Sequence, residues 1–483
     1  MRKLTFLIFY FLIFTTLHAQ EDEHENYVVE TDPLVKKNLE EWQDIKFGLM
    51  MHWGPYSQWG IVESWSLCTE EWINRRDGRY ENYDQYKIDY ENLQKTFNPV
   101  NFNPEKWAKA AKDAGMKYMV FTTKHHDGFC MFDTKTTDYK ITSKNTPFHT
   151  NPKANITKEL FDAFGSEGFK IGAYFSKPDW HTEFYWWPYY NTGPRHVNYN
   201  PAKFPDRWQQ FKDYTYTQIE ELMTNYGKVD ILWLDGAWVR PYENTPERFK
   251  EWAIWKDWDQ NIDIPGIANM AREHQPGLIV VDRWVSGAYE NYLTPENRIP
   301  EHAIPVPWES PITMAPGWSY NKNHQYKSVR RLVHMMVEIV SKGGNFLLNV
   351  GPSPEGDWDP VVYDRLKGIG AWMRINSEAI YNSRIVAPYK DGKVALTQNK
   401  DTKAVYGIYL PDENESTPPA KIWLTHITPA KGASVTMLGA PGRLKWQKIG
   451  NGVLIEIPEK LRKSPPAQDA WTIKISEIEK KRE

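Results

Sequence analysis

VDILWLDG, residues 229–236, is the stretch on which the fold reading turns. Every position from Ile231 to Leu234 is apolar, and the run then stops on Asp235 and Gly236. A short run without polar alternation suits a parallel strand that is covered on both faces. The same form recurs on either side, in KFGLMMHWG (46–54), YMVFTTKHHDGF (118–129), KIGAYFS (170–176), GLIVVDRW (277–284) and GGNFLLNVG (343–351). Amphipathic segments separate these runs. In NPEKWAKAAKDAG (103–115), Asn103 is placed to cap, Pro104 takes the first helical position, Trp107, Ala110, Ala111 and Ala114 form one face, and Gly115 stops the helix. Val329, Leu332, Val333, Met336, Val337 and Val340 make a second stripe, ending at Gly343-Gly344. Strand alternating with helix from residue 46 to 351 predicts an α/β fold, either a (β/α)-barrel or a doubly wound sheet. No GxGxxG follows the first strand, so nothing supports a dinucleotide site.

The pattern changes near Ala387. KVALTQ (393–398), KAVYGIYL (403–410), AKIWLTHI (420–427), ASVTML (433–438), GVLIEI (452–457) and AWTIKI (470–475) are short and partly alternating. Asp391-Gly392 and Asn451-Gly452 supply turns between them. A small antiparallel β-sandwich appended to the barrel is expected. At the other end, Arg2 and Lys3 precede the apolar run from Leu4 to Phe14, and Thr15–Ala19 leads to a cut after Ala19 or Gln20. That is the form of an export signal, too short to span a bilayer. The organisation expected is therefore a signal peptide over 1–20, a barrel over 21–385 and a sandwich over 386–483, in a periplasmic or secreted protein without a membrane span.

Composition narrows the function. Lys+Arg 59 against Asp+Glu 62 leave a net charge of −3, with no basic field to hold nucleic acid. The 23 Trp and 27 Tyr are enough both to fill a large core and to line a site that stacks on sugar rings. Cys68 and Cys130 are the only cysteines, either paired or left as buried thiols, and no spacing suggests a metal. Nothing in the sequence indicates the oligomeric state.

Reactive groups of a barrel gather at the C-terminal ends of its strands. Here those ends carry His52 and Trp53, His125 and His126, Tyr174 and Ser176, Trp233 and Asp235, then Asp282, Arg283 and Trp284. Singly, each has a plainer explanation: a hydrogen-bonded histidine, a helix cap at Asp235, an ion pair at Arg283. Together they converge on one mouth. Glycoside hydrolysis needs two carboxyls across one bond. Asp235 is the first candidate, and Glu290, Glu296, Glu301 and Glu309 all compete for the second.

FGLMMHWG, KYMVFTTKHHDGF, GAYFS, ILWLDG, VDRW, PWES and GGNFLLNVGPSPEGDWDPVVYDRLKGIGAWMRINSEAIY together resemble glycoside hydrolase family 29, the α-L-fucosidases. The likeness runs from about Lys46 to Tyr381. It implies a barrel with a C-terminal sandwich, no organic cofactor, a fucosylated oligosaccharide or glycoconjugate as substrate, and hydrolysis with retention. Asp235 in LWLDG then corresponds to the nucleophile. Glu296, in a Thr-x-Glu context after DRW, corresponds to the acid/base, with Glu290 second. His52, Glu71, Trp72, His125, His126, Tyr174, Trp233 and Arg283 match fucose-hydroxyl ligands, and Trp318 matches an aromatic against the fucose methyl. Glu309 in PWES is read as a supporting residue. The stretch from Asn74 to Gln94 reads as a lid or subsite loop. Rival readings are a same-fold glycosidase for a related sugar such as an α-L-galactoside, and a catalytically weak carbohydrate-binding relative.

Overall fold

The computed structural model describes residues 26–70, 72–73, 82–250 and 255–479. The expected signal peptide and Glu71 lie outside the described residues.

The first domain is a parallel sheet of seven strands in the order β5-β4-β3-β2-β1-β7-β6. These are β1 (Phe47–Met51), β2 (Tyr118–Lys124), β3 (Lys170–Ser176), β4 (Ile231–Asp235), β5 (Ile279–Asp282), β6 (Glu309–Thr313) and β7 (Asn345–Val350). Six coincide with the apolar runs. The seventh, β6, is ESPIT, whose Glu, Ser and Pro conceal a strand that is nevertheless buried throughout. Helices α1 (Pro33–Ile45), α2 (Tyr83–Glu91), α3 (Pro104–Asp113), α4 (Ile156–Ser166), α5 (Pro205–Asn225), α6 (Ile264–His274), α7 (Val329–Ser341) and α8 (Pro360–Asn376) accompany them. Asn103 caps α3 by accepting from Lys106 N at 2.9 Å, and Ser328 caps α7 through Arg331 N. On α3, Ala108 rather than Ala110 is fully buried. Of the expected loop 74–94, residues 74–81 lie outside the described residues, and the rest is corrected: residues 83–95 are helical, because Tyr86 and Tyr90 fill a buried face.

Side-chain alternation builds two cores from one sheet. Met50, Tyr118, Val120, Tyr174, Ile231, Trp233, Ile279, Val281 and Leu347 meet in the interior. Their neighbours Leu49, Met51, Met119, Phe121, Ala173, Phe175, Leu232, Leu234, Val280, Phe346 and Leu348 pack against the helices. A period of two therefore carries the interior series onward to His52, Ser176, Asp235, Arg283 and Asn349 at the strand ends.

Among the described residues, no strand ladder joins β5 to β6. The segment between them does so, through bridges Val281↔Glu290 and Leu293↔Trp308. Asn291 N donates to Val280 O at 3.0 Å, and Glu309 N donates to Leu293 O at 2.8 Å. Tyr292 seals this seam from within by stacking on Trp42, centroids 4.0 Å apart. The sheet thus closes into a barrel, and the closing segment leads straight into Glu296.

The second domain is antiparallel, as expected. One sheet runs β12-β15-β10-β9-β8 and the other β11-β14-β13. The strands are β8 (Ser383–Asp391), β9 (Val394–Asn399), β10 (Val405–Tyr409), β11 (Lys421–Leu424), β12 (Val435–Met437), β13 (Lys445–Ile449), β14 (Gly452–Glu456) and β15 (Trp471–Ile475). Val394, Leu396, Val405, Ile422, Leu424, Val453, Ile455 and Ile473 form its core. β8 and β13 escape the sequence reading because neither buries a regular apolar face. Lys390 of β8 pairs with Glu338 of α7, tying this domain to the barrel. Cys68 and Cys130 are free and buried.

Candidate active site

A cavity of about 470 Å³ opens at the C-terminal end of the barrel. Among its lining residues are His52, Trp72, His125, His126, Tyr174, Trp233, Asp235, Arg283, Glu296 and Trp318, ten positions singled out above. Its size and its few convergent polar groups suit a small polar ligand.

Asp235 ends β4 with its carboxyl in this space. Tyr174 Oη donates to Oδ2 at 2.7 Å, Arg283 Nη1 donates to Oδ1 at 3.0 Å, and His126 Nε2 stands 3.7 Å from Oδ2. Burial pushes this carboxyl up. The Arg283 charge, followed by His126 and the Tyr174 hydroxyl, outweighs that and holds it well below the usual carboxylate range. The side chain is thus an anion, fixed in orientation and partly open to the cavity.

Arg283 is buried at the end of β5. Nη1 reaches Asp235, Nη2 reaches Glu296, and Nε donates to Thr294 Oγ1 at 3.2 Å. Its guanidinium lies over the rings of Trp284, 4.3 Å away, and Trp233, 5.3 Å away. A cation that lies over aromatic rings and donates to three separate acceptors suits the forked guanidinium of arginine and not lysine. The backbone enters the left-handed region at Trp284 (φ 60) and Asn297 (φ 49), each directly after a site residue. Such conformations cost on the order of 1–3 kcal/mol and persist only where surrounding contacts impose them.

The competing glutamates separate by position. Glu296 lines the cavity. Glu290 is buried at the barrel seam, where Oε1 accepts from Trp284 N at 2.7 Å. Glu301 is exposed and does not line the cavity. Glu309 lies deeper in the barrel, accepting from Tyr118 Oη at 2.7 Å and from Trp233 Nε1 at 3.2 Å, and burial pushes its carboxyl up to about 7. Asp282 faces outward and pairs with Lys177, so it contributes no group to the cavity.

The three histidines are held neutral. Burial pushes His52 down to about 4, His126 down to about 3 and His125 well below its ordinary value. Asn349 Nδ2 donates to Trp318 O, which turns its Oδ1 toward His52 Nδ1 at 2.8 Å. The proton therefore sits on Nδ1, and Nε2 of His52 is left as an acceptor. His125 Nδ1 meets Ser64 Oγ. His126 packs among Trp65, Trp180 and Trp238.

Several lining residues were missed. Glu63 is buried, takes a hydrogen bond from Ser319 N at 3.0 Å and is pushed up to about 7 by burial. Trp65, Arg195, Trp238 and Arg240 also line the space. Glu63, Trp65 and Arg195 stand far along the loops after β1 and β3, where no strand end points to them, while Trp238 and Arg240 follow β4 by three and five residues and lie just past the positions that the apolar run marks. Trp72 is reached but is 58 % exposed, and its Nε1 donates to Glu70 Oε2 at 2.7 Å. Among the described residues there is no group of three His, Cys, Asp or Glu side chains that could hold a metal ion.

A carboxylate pair in a sugar-sized cavity at the mouth of a parallel barrel is the equipment of a glycoside hydrolase. A family model described as "Alpha-L-fucosidase" matches residues 14–378, and one described as "Alpha-L-fucosidase C-terminal domain" matches 389–476. The chain belongs to the α-L-fucosidase family and is a glycoside hydrolase acting on fucosylated glycans. It is 28 % identical to the tissue α-L-fucosidase of Rattus norvegicus, over 94 % of this chain and 93 % of that protein. Among solved structures, α-L-fucosidase isoenzyme 1 from Paenibacillus thiaminolyticus superposes with a TM-score of 0.72 at 30 % identity, over 92 % of this chain and all of that one. A trapped covalent intermediate of an α-L-fucosidase from Bacteroides thetaiotaomicron shares the fold, with a TM-score of 0.71 at 22 % identity over 94 % of this chain and 97 % of that one. Among the described residues, no helix is long and apolar enough to cross a membrane.

Proposed function

We propose that this fucosidase works with retention, through a covalent fucosyl-enzyme formed on Asp235, with Glu296 as acid and then base. The observation that carries the reading is the shared guanidinium: Arg283 binds both carboxyls at the floor of one cavity. In the first step an Asp235 oxygen attacks the anomeric carbon and the bond to the leaving oxygen breaks. The proton of Glu296 passes to that oxygen. Water then attacks the same carbon as Glu296 takes its proton, and the bond to Asp235 breaks, restoring the α configuration. His52 Nε2, His125 and His126 stand ready for the sugar hydroxyls, while Trp284 and Trp318 exclude water. The covalent intermediate named for the Bacteroides protein supports the same course here.

The test is trapping with 2-deoxy-2-fluoro-α-L-fucosyl fluoride, whose 2-fluorine slows both steps while its activated leaving group keeps formation of the intermediate faster than its breakdown. Mass spectrometry of the digest is expected to find the label on the peptide that contains Asp235. A label elsewhere, or product released first as the β anomer, overturns the reading. Export belongs to the same proposal, resting on residues 1–20. Amino-terminal sequencing of the protein from its native host is expected to start at Gln20 or Glu21.

A further inference from the structure

We propose that Trp72 is a stacking platform for the leaving-group sugar, held in place by the Glu70–Arg195 ion pair. The proposal rests on the fucosidase reading and adds what lies beyond the fucose ring. Large aromatic side chains are rarely left more than half in water, yet Trp72 is 58 % exposed while lining the catalytic cavity. Its position is fixed. Nε1 donates to Glu70 Oε2, and Glu70, only 5 % exposed, accepts from Arg195 Nε at 2.6 Å and from Arg195 N at 3.2 Å. Arg195 in turn lies over the rings of Trp65, at 4.9 Å, and Trp238, at 5.1 Å, both of which line the cavity. The loops after β1 and β3 are thereby locked to each other.

That geometry says which part of Trp72 is available. Its N–H is committed to a carboxylate, so it has no donor left for a fucose hydroxyl, the role that resemblance assigns to it. Its ring tilts against Trp65, with centroids 5.3 Å apart, and the rest of it is open to solvent at the rim of the cavity. A ring face recognises apolar C–H surface, and a pyranose presents such a surface on one side. Fucose is held at the floor, where Asp235 and Arg283 stand. The ring that meets the rim is therefore that of the sugar to which fucose is attached.

The experiment compares kcat/KM for α-L-fucosyl fluoride, which has no leaving-group ring, with kcat/KM for a fucosylated disaccharide. Trp72→Ala is expected to lower the disaccharide value about tenfold more than the fluoride value. Trp72→Phe, which keeps a ring, is expected to recover most of that difference. Glu70→Gln is expected to shift the ratio in the same direction, with melting temperature recorded to separate loosening of the fold. Equal losses on both substrates would return Trp72 to the fucose subsite, and no loss on either would remove it from recognition; both overturn the proposal. Failure of the wild-type enzyme on fucosyl fluoride would instead overturn the fucosidase reading itself.

Discussion

Arg283 gives one hydrogen bond to Asp235, at 3.0 Å, and another to Glu296, so a single cation stands between the two carboxyls. Without it, only His126, the Tyr174 hydroxyl and the Gly236 backbone remain to oppose the burial that pushes that carboxyl up. Arg283→Gln is therefore expected to move the acid limb of the kcat/KM profile up by about one to three pH units. The profile on an aryl fucoside reads this directly. An unmoved acid limb would show that Arg283 does not set the ionisation of Asp235.

Asp235→Gly is expected to lower kcat by several powers of ten, because covalent catalysis is lost outright. The fold should survive, since the side chain faces the cavity and its removal leaves Arg283 paired with Glu296. Azide is expected to restore part of the rate and to give a β-fucosyl azide. Retention of more than a few per cent of wild-type kcat would point to another nucleophile.

Leaving-group dependence separates the glutamates. Glu296→Ala is expected to abolish cleavage of oligosaccharides, whose alkoxide leaves poorly without a proton. Fucosylation by an activated aryl fucoside should be spared, with azide speeding breakdown to an α-configured product. Glu309→Ala should depress both substrates alike, because it acts through Trp233 and Tyr118. The selective pattern in Glu290→Ala instead of Glu296→Ala would exchange the roles.

His126→Ala is expected to reduce kcat/KM by the equivalent of about 2–4 kcal/mol, by leaving a buried sugar hydroxyl unpaired. A lower melting temperature with unchanged kcat/KM would make it a packing residue among its three tryptophans.

Glu309 also predicts a pH dependence of stability. Its carboxyl is pushed up to about 7 in the fold, against 4.5 ordinarily, so between those values the native state holds a proton that the unfolded chain has lost. Its contribution is full below about pH 4.5 and is lost as pH rises through about 7. Glu309→Gln removes the titration while keeping an acceptor. The variant should gain on the order of 2 kcal/mol over wild type at pH 8 relative to the difference at pH 4.5, read from melting temperatures. A difference that does not vary with pH would show that Glu309 keeps one charge state throughout.

Much of this protein was written locally. A continuous apolar run needs only neighbours along the chain, so the runs that became β1 to β5 and β7 could be read directly, and each strand alternates its side chains between two faces. The same alternation carries Trp233 to Asp235 and Val281 to Arg283 on the inward face. ESPIT shows the limit: β6 is buried by what surrounds it, and its own composition conceals that.

What tertiary structure alone decided is which distant loops meet. The choice among Glu290, Glu296, Glu301 and Glu309 depends on how residues 290–293 bridge β5 to β6, a closure made by partners far apart in the chain. Glu63 reaches the cavity because Ser319, 256 residues away, holds its carboxylate. Arg195 gets there through Glu70, 125 residues away. Such meetings carry no periodic signal, because their energy comes from burial and ion pairing that exist only after the barrel has closed. The sequence by itself determined six of the seven barrel strands and Asp235 at the end of one of them; closure of the barrel decided which glutamate, which tryptophans and which arginine line the cavity with it.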